Sequence, residues 1–177
     1  MYSWISVVPG QNVPVAAVDA PGVMSQEPFE CDIPSGIATF VGREGALVSQ
    51  MLTCLYNAQT VIPSSRIAVT PVFLRATAGM RVLAQNNATA ANAILAACIK
   101  AIHSAGFDPS HSSAEIMSGA NEGAFGWLTV NYVLGNLAAV MHQAVIDPAH
   151  VGAVTSVGAL DLGGASTQVT VSILACE

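Results

Sequence analysis

Apolar residues recur at helical spacing in three parts of the chain, and each part predicts a helix. The three predicted helices cover residues 43–61, 89–105 and 122–145. The second has a clear apolar stripe, which consists of Ile94, Leu95, Cys98, Ile99 and Ile102. Gly106 is predicted to end this helix and Gly135 to break the third, because glycine is common where helices end.

Shorter runs of alternating or β-branched residues predict five strands. They cover residues 2–8, 67–74, 113–117, 154–162 and 167–174. Pro71 interrupts the second run, residues 9–42 are predicted to be mainly loop, and residues 75–83 a turn rich in small residues. Since strands and helices alternate along the chain, the predicted fold class is α/β.

Composition limits what kind of protein this can be. The 177 residues suffice for one domain with a sizeable core. Apolar residues make up 53% of the sequence and charged residues 9%, which leaves few charges to cover a lone soluble domain. We therefore expect an oligomer or a larger protein to cover part of the surface. No apolar run is long enough to predict a transmembrane segment, and the first residues do not resemble a signal peptide.

Charge and metal-ligand spacing exclude several functions. The formal net charge is −6, and the five basic residues stand singly, which argues against nucleic-acid binding. The four cysteines include no CxxC pair, and the four histidines include no pair at the i, i+4 spacing of zinc-binding helices. Neither zinc binding nor thioredoxin chemistry is indicated.

Three of the cysteines and one short motif carry further expectations. Cys98 lies on an apolar helical face and is expected to be a small core residue. Cys31 and Cys54 could form a disulfide in an oxidising compartment. The motif Asn87-Ala88-Thr89 is an N-glycosylation sequon, a pattern that also occurs often by chance.

The stretch ALDLGGASTQVTV, residues 159–171, combines residue types suited to a phosphate and a metal ion. Asp161 ends an apolar run that is interpreted as a buried strand, and a carboxylate there can hold a hard cation directly or through water. Gly163 and Gly164 would let backbone N–H groups approach an anion closely. The hydroxyls and the amide that follow can orient phosphate oxygens or a water. A plain β-hairpin with a glycine turn explains the stretch equally well.

Three stretches, in order, resemble conserved regions two, three and four of the ectonucleoside triphosphate diphosphohydrolases, also called apyrases or nucleoside phosphatases. They are TPVFLRATAGMRVL at 70–83, IMSGANEGAFGWLTVNYVLG at 116–135 and ALDLGGASTQ at 159–168. The resemblance implies one lobe of an actin-like, ribonuclease-H-like fold with two α/β lobes. It also implies an enzyme that hydrolyses the terminal phosphate of nucleoside tri- or diphosphates with Ca²⁺ or Mg²⁺.

The resemblance also implies roles for single residues. Glu122 matches the general base that acts on the attacking water, while Ser166 and Gln168 match the pair that orients this water. Thr77 matches the threonine whose hydroxyl faces the terminal phosphate, and Asp161 the acid that holds the metal through water. The phosphate-facing positions are Gly163, Gly164, Ala165 and Ser166.

Several of these residues also have purely structural explanations. Glu122 could be an acid in the first turn of a helix, where the helix dipole favours it. Thr77 could be a helix N-cap, and Arg81 is expected to anchor a helix to a loop rather than touch substrate. Three residues at helical spacing are interpreted as packing residues with satisfied polar ends: Trp127, Asn131 and Tyr132.

The resemblance makes residues 1–177 an incomplete first lobe, without the first phosphate hairpin and the second lobe. The chain alone is then expected to be inactive, and the second lobe or an oligomer to cover its apolar surface. A disulfide between Cys31 and Cys54 is implied, together with a place in the secretory pathway lumen, at the cell surface or outside the cell. The alternative function is a non-catalytic nucleotide- or phosphate-binding remnant or an interaction module.

Overall fold

The computed structural model describes residues 31–137 and 156–171. The predicted strand over residues 2–8 and most of the predicted loop lie outside this part. So do the later portion of the third predicted helix, the first two residues of the strand at 154–162 and the last three of the strand at 167–174. The described residues divide between two compact units. The first contains residues 31–117, and the second contains residues 118–137 and 156–171.

The first unit combines helices with a two-stranded parallel sheet. Its elements are a 3₁₀ helix at Ile37–Phe40, α1 at Glu44–Gln59, α2 at Ser64–Ile67, β1 at Phe73–Ala76, α3 at Ala78–Asn86, α4 at Ala88–Ser104 and β2 at Ser113–Ile116. Strands β1 and β2 pair in parallel, from Phe73 opposite Ser113 to Ala76 opposite Ile116. Parallel neighbours need a crossover connection, and α3 and α4 supply it.

Helix α4 lies where its apolar stripe predicted it. The side-chain oxygen of Asn87 caps the helix by accepting a hydrogen bond from the Ala90 N–H at 3.0 Å. Ile94, Cys98 and Ile102 are fully buried along one face. Gly106 has φ +81°, the left-handed conformation in which helices often end, so its predicted role is confirmed.

The core of the first unit is aliphatic with two aromatic rings. Its largest fully or nearly fully buried side chains are Phe40, Leu47, Leu55, Met80, Ile94, Ile102 and Phe107. Burying one such side chain contributes about 1.5–3 kcal/mol relative to leaving it in water. Burial also raises the pKa of the Cys98 thiol to about 11, so Cys98 behaves as a core residue.

Two predictions in the first unit are wrong. The strand over 67–74 begins only at Phe73, because the short helix α2 and the turn before Pro71 occupy the preceding residues. Residues 75–83 are not a turn, since α3 starts at Ala78 and continues to Asn86. Alanine favours helix, and the burial of Met80 at 2% exposure holds this segment against the core.

A disulfide ties the beginning of the described chain to α1. It joins Cys31 to Cys54 with their Cα atoms 5.6 Å apart. The bond closes a loop over a sequence separation of 23 residues. On the chain-entropy estimate, a loop of this size stabilises the folded state by about 3 kcal/mol.

In its described residues, the second unit contains a helix and a β-hairpin, and residues 136–137 are helical again after Gly135. Helix α5 spans Gly119–Val133, and strands β3 at Ala159–Leu162 and β4 at Thr167–Thr170 pair antiparallel. Gly135 has φ +77° directly after the helix, so the predicted break is confirmed. The expectation that β3 is a buried strand is wrong, because Leu160 and Leu162 are 63% and 72% exposed.

Both units are α/β, which confirms the predicted fold class, and helices flanking small sheets are consistent with an actin-like lobe. Within residues 31–137 and 156–171, no helix is both long and apolar enough to cross a membrane.

Candidate functional site

The start of α5 holds the first candidate residue. Ser118 caps the helix, with its hydroxyl oxygen accepting from the Asn121 N–H at 3.1 Å. Glu122 lies in the first turn, where its own N–H donates to the Ser118 carbonyl at 2.9 Å. This position is favourable for an acid because the helix dipole is positive there. The position of Glu122 therefore agrees with the structural explanation.

The carboxylate of Glu122 contacts the amide of Gln168 on β4. Gln168 Nε2 donates to Glu122 Oε2 at 3.2 Å, across 46 residues of sequence. Because a carboxylate only accepts, the amide must present its NH₂ group to Glu122, and this fixes where its oxygen points. Gln168 is 9% exposed, and its Oε1 is buried with no hydrogen-bond partner among the described residues.

A buried amide oxygen without a partner costs about 1–3 kcal/mol. Such an atom calls for a bound donor, such as a water or a ligand group. Among the described residues, Gln168 therefore offers a buried, unpaired acceptor, Oε1, on the same amide that contacts the Glu122 carboxylate. A bound hydrogen-bond donor would satisfy this acceptor. A nucleophilic water is a molecule of this kind.

The turn between β3 and β4 contains the paired glycines. It is closed by a hydrogen bond from the Gly163 N–H to the Ser166 carbonyl at 2.9 Å. A Cβ at Gly163 would lie 3.2 Å from that carbonyl oxygen, but a Cβ at Gly164 would meet nothing within 4 Å. Neither glycine has a left-handed φ. The fold therefore does not require glycine at 164, whereas an anion approaching the backbone would.

Asp161 and Gln168 face each other across the hairpin. They are register partners in the antiparallel pair, so their side chains share one face of the hairpin. Asp161 is exposed, as are Gly163, Gly164 and Ala165 in the turn that follows. The structure thus brings Glu122, Gln168, Asp161 and the glycine turn together within the second unit.

The oxygen ligands in this part of the structure suit a metal ion whose other ligands are water and substrate phosphate. Among the described residues, no group of three or more His, Cys, Asp or Glu could hold a metal ion. Asp161 offers hard oxygen atoms at an exposed strand end. Mg²⁺ commonly keeps several waters and is held by one or two carboxylates together with substrate phosphates. Asp161 fits that mode of binding and does not fit a cage made wholly of protein.

Gly123 is a site residue that the sequence analysis missed. A Cβ at this position would lie 2.6 Å from Thr170 Oγ1 and 3.3 Å from Gln168 Cβ. Real Cβ atoms essentially never come as close as 2.6 Å, so only glycine lets α5 pack this tightly on β4. The close packing is what brings Glu122 within hydrogen-bonding distance of Gln168. The signal that could have identified Gly123 is a glycine next to Glu122 inside the helical run NEGAFGW.

Asn131 fixes the same helix to the residues before β3. Its Nδ2 donates to the carbonyls of Trp127 and Val157 at 2.9 and 3.0 Å. Its Oδ1 accepts from the Val157 N–H at 2.9 Å and from Asn136 at 2.8 Å. Asn131 is fully buried, and all its hydrogen-bonding capacity is used, as predicted.

The same interpretation is wrong for two neighbours of Asn131. The indole Nε1 of Trp127 is buried without a hydrogen-bond partner in the described part of the chain. Tyr132 is 41% exposed and is therefore not a packing residue.

Two candidate residues belong to the first unit. Thr77 stands at the N-cap position of α3, but its side chain makes no capping hydrogen bond, so the N-cap explanation does not account for the hydroxyl. Arg81 donates from Nη1 to the Met117 carbonyl at 2.9 Å and so ties α3 to the residue after β2. This is the anchoring role predicted for Arg81.

Comparison with known proteins identifies the class of this protein as a nucleoside phosphatase. Residues 11–176 match the sequence model of the GDA1/CD39 (nucleoside phosphatase) family, and the chain belongs to this family. It is 43% identical over 135 residues to ectonucleoside triphosphate diphosphohydrolase 1 of Bos taurus, which covers 76% of this chain and 26% of the relative. Over 150 residues it is 43% identical to ectonucleoside triphosphate diphosphohydrolase 8 of Rattus norvegicus, covering 84% and 29% respectively.

A third relative gives a similar result. The chain is 39% identical over 152 residues to ectonucleoside triphosphate diphosphohydrolase 3 of Homo sapiens, which covers 84% of the chain and 27% of the relative. The chain therefore spans less than a third of the length of these relatives. The family match and the three identities confirm the family resemblance. The activity of a whole protein that contains this chain is a proposal.

Proposed function

We propose that the whole protein containing this chain hydrolyses the terminal phosphate of nucleoside triphosphates, nucleoside diphosphates or both. The observation that carries the proposal is the contact of Glu122 with Gln168, whose buried Oε1 has no partner among the described residues. A carboxylate base beside an acceptor for a water is what hydrolysis by an activated water requires. Membership of the nucleoside phosphatase family supports the same activity.

In this mechanism the attacking water lies beside the hydrogen-bonded side chains of Glu122 and Gln168 and contacts both. The water donates one hydrogen bond to Gln168 Oε1, and Ser166 is the second residue that orients it. The water oxygen attacks the terminal phosphorus as the bond to the leaving phosphate oxygen breaks. Glu122 accepts the proton that the water loses. A positioned general base of this type contributes about 10²–10⁴-fold in rate.

The phosphates are held by backbone groups of the hairpin turn and by one hydroxyl. Gly164, Ala165 and Ser166 are proposed to present their N–H groups to phosphate, and the open space around Gly164 supports this role. Gly163, whose N–H donates to the Ser166 carbonyl, is proposed to contribute by closing the turn and leaving the backbone uncovered. Thr77 contributes a hydroxyl that the cap of α3 does not use. These neutral donors stabilise phosphate charge without adding positive residues to an acidic chain.

Asp161 is the residue proposed to hold the divalent ion, Ca²⁺ or Mg²⁺, through water. Such an ion neutralises phosphate charge when bound. The role of Asp161 is to fix the position of the hydrated ion on the face of the hairpin that also carries Gln168.

The protein is proposed to act in the secretory pathway, at the cell surface or outside the cell. The disulfide between Cys31 and Cys54 supports this, because such bonds persist in oxidising compartments. The exposed apolar residues of β3 and β4 support a second lobe or another subunit as cover. The 177 residues alone are proposed to be inactive, since they match less than a third of each relative's length.

The test uses the whole protein and two acid-to-amide variants. Glu122→Gln should lower phosphate release from ATP and ADP by about 10²–10⁴-fold, while binding of a non-hydrolysable analogue with metal stays near wild type. Asp161→Asn should weaken metal-dependent binding of the analogue as well as turnover. Phosphate release and isothermal calorimetry measure the two properties separately.

Glu115→Gln is the matched control. Glu115 is an exposed glutamate of β2 that pairs with Arg75 at 2.9 Å, outside the proposed site. The control should retain wild-type turnover. Full turnover by Glu122→Gln would contradict the base assignment. Analogue binding by a wild-type protein that releases no phosphate would favour a non-catalytic binding protein instead.

A further inference from the structure

The proposed catalytic site does not account for the sequon Asn87-Ala88-Thr89. It is the one N-x-Ser/Thr motif in the 177 residues, and its middle position is not proline. The structure places it at the junction of α3 and α4, where Asn87, Ala88 and Thr89 are all exposed. We propose that Asn87 carries an N-linked glycan.

The geometry of Asn87 separates its structural task from this modification. The atom that caps α4 is Oδ1, which accepts from the Ala90 N–H at 3.0 Å. The atom that a glycan uses is Nδ2. A glycosylated asparagine keeps its carbonyl oxygen, so the cap survives the modification. The backbone groups are also already satisfied, since the Asn87 N–H donates to Leu83 and its carbonyl accepts from Ala91.

The chemistry is a balanced group transfer that needs no redox partner. Nδ2 of Asn87 forms a bond to C1 of the first sugar of a polyprenyl-diphosphate-linked oligosaccharide. The C1–O bond to the diphosphate breaks, the lipid diphosphate leaves, and Nδ2 gives up one proton. Such donors act in the compartment where disulfides form, and the bond between Cys31 and Cys54 places the chain in an environment of that kind.

The inference rests on the proposed location of the protein, and the test reads the glycan together with the disulfide that supports this location. The full chain is expressed behind a cleavable secretion leader in a eukaryotic host, and it is treated with peptide N-glycosidase. We expect a mobility shift on treatment, with the Asn87 residue converted to Asp in the released peptide. Mass spectrometry of the same sample reports whether Cys31 and Cys54 are joined.

Two variants separate the glycan from the helix cap. Thr89→Ala removes the sequon but keeps the capping side chain of Asn87, so it should lose the mobility shift and still fold. Thr89→Ser should keep the shift. Asn86→Gln is the matched control, because Asn86 donates to the Val82 carbonyl at 3.0 Å and is followed by Asn-Ala rather than a sequon.

An unmodified Asn87 in a sample with the disulfide formed would overturn the inference and leave the location standing. An unmodified Asn87 with both cysteines reduced would overturn the inference together with the disulfide that supports the proposed location. A shift that persists in Thr89→Ala would also overturn it, because the glycan would then lie elsewhere.

Discussion

The two units of the described chain are stabilised in opposite ways. Every buried apolar side chain of the described residues lies in the first unit, in a core that includes Leu47, Ile94 and Phe107. The two polar side chains that are buried among the described residues, Asn131 and Gln168, lie in the second unit. Both units leave some large apolar residues exposed, but the described part of the second buries none and exposes them on the helix and on both strands, among them Phe125, Leu160 and Val169.

This difference follows from what each unit does. The first unit is a packed scaffold whose stability comes mainly from apolar burial. The second holds the candidate catalytic residues by a few directed contacts: the bonds of Asn131 to Val157 and the close approach of Gly123 to Thr170. Apart from Thr77, which is proposed to contact phosphate, changes in the first unit should therefore alter stability, and changes in the second should alter activity.

The largest effect on stability is expected from Ile94→Ala in the core of α4. Ile94 is fully buried, so the truncation leaves a cavity and should destabilise the protein by about 2–5 kcal/mol. Ile94→Val should cost only about 0.5–1.5 kcal/mol. Denaturant unfolding measures both. In the whole protein, the turnover of the folded fraction should stay at the wild-type level. A selective loss of turnover there would break the distinction between scaffold and site.

A smaller effect on stability, with a specific loss of activity, is expected from Gly123→Ala. The new Cβ would meet Thr170 Oγ1 at 2.6 Å and push α5 away from β4. Overpacking of this kind typically costs about 1–3 kcal/mol. Turnover of the whole protein should fall more than stability explains, because the separation of Glu122 from Gln168 changes.

Two companion variants make the Gly123 experiment specific. Adding Thr170→Ala removes the closest clashing atom, so the double variant should recover part of the lost turnover. Gly126→Ala is the matched control in the same helix, because a Cβ there meets nothing within 4 Å. Equal losses in Gly126→Ala and Gly123→Ala would mean that close packing on β4 does not position the site.

The smallest effect is expected from Asp108→Asn on the surface of the first unit. The hydrogen bond from the His111 side chain at 2.7 Å, followed by that from the Ser110 N–H, lowers the pKa of Asp108. A folded pKa below the ordinary value of about 3.9 gives stability that is present above that pH. It is lost as the pH falls through the lower folded value.

The unfolding temperature should therefore differ slightly between wild type and Asp108→Asn near neutral pH, and the difference should vanish in acid. Thermal unfolding followed over a pH series measures it. A difference that grows toward acid pH would contradict the assigned direction. Turnover should not change in either case, as expected for the scaffold unit.

The elements that the sequence predicted well are those with a strong local pattern. Helix α4 runs from Ala88 to Ser104 against a predicted 89–105, because its apolar stripe and the left-handed Gly106 are local signals. The hairpin of β3 and β4 followed from two apolar runs around a glycine pair. The motif residues Glu122, Asp161 and Gln168 were named because their flanking sequences resemble a family.

Other features were decided only by the tertiary structure. The small residues at the start of α3 looked like a turn, yet the burial of Met80 holds them in a helix. The apolar residues of β3 suggested a buried strand, yet Leu160 and Leu162 are exposed. The need for glycine at 123 depends on Thr170, far away along the chain. Sequence patterns determine which way a side chain faces within its own helix or strand. Which element then lies against that face, and how closely, is determined only when residues distant in sequence meet.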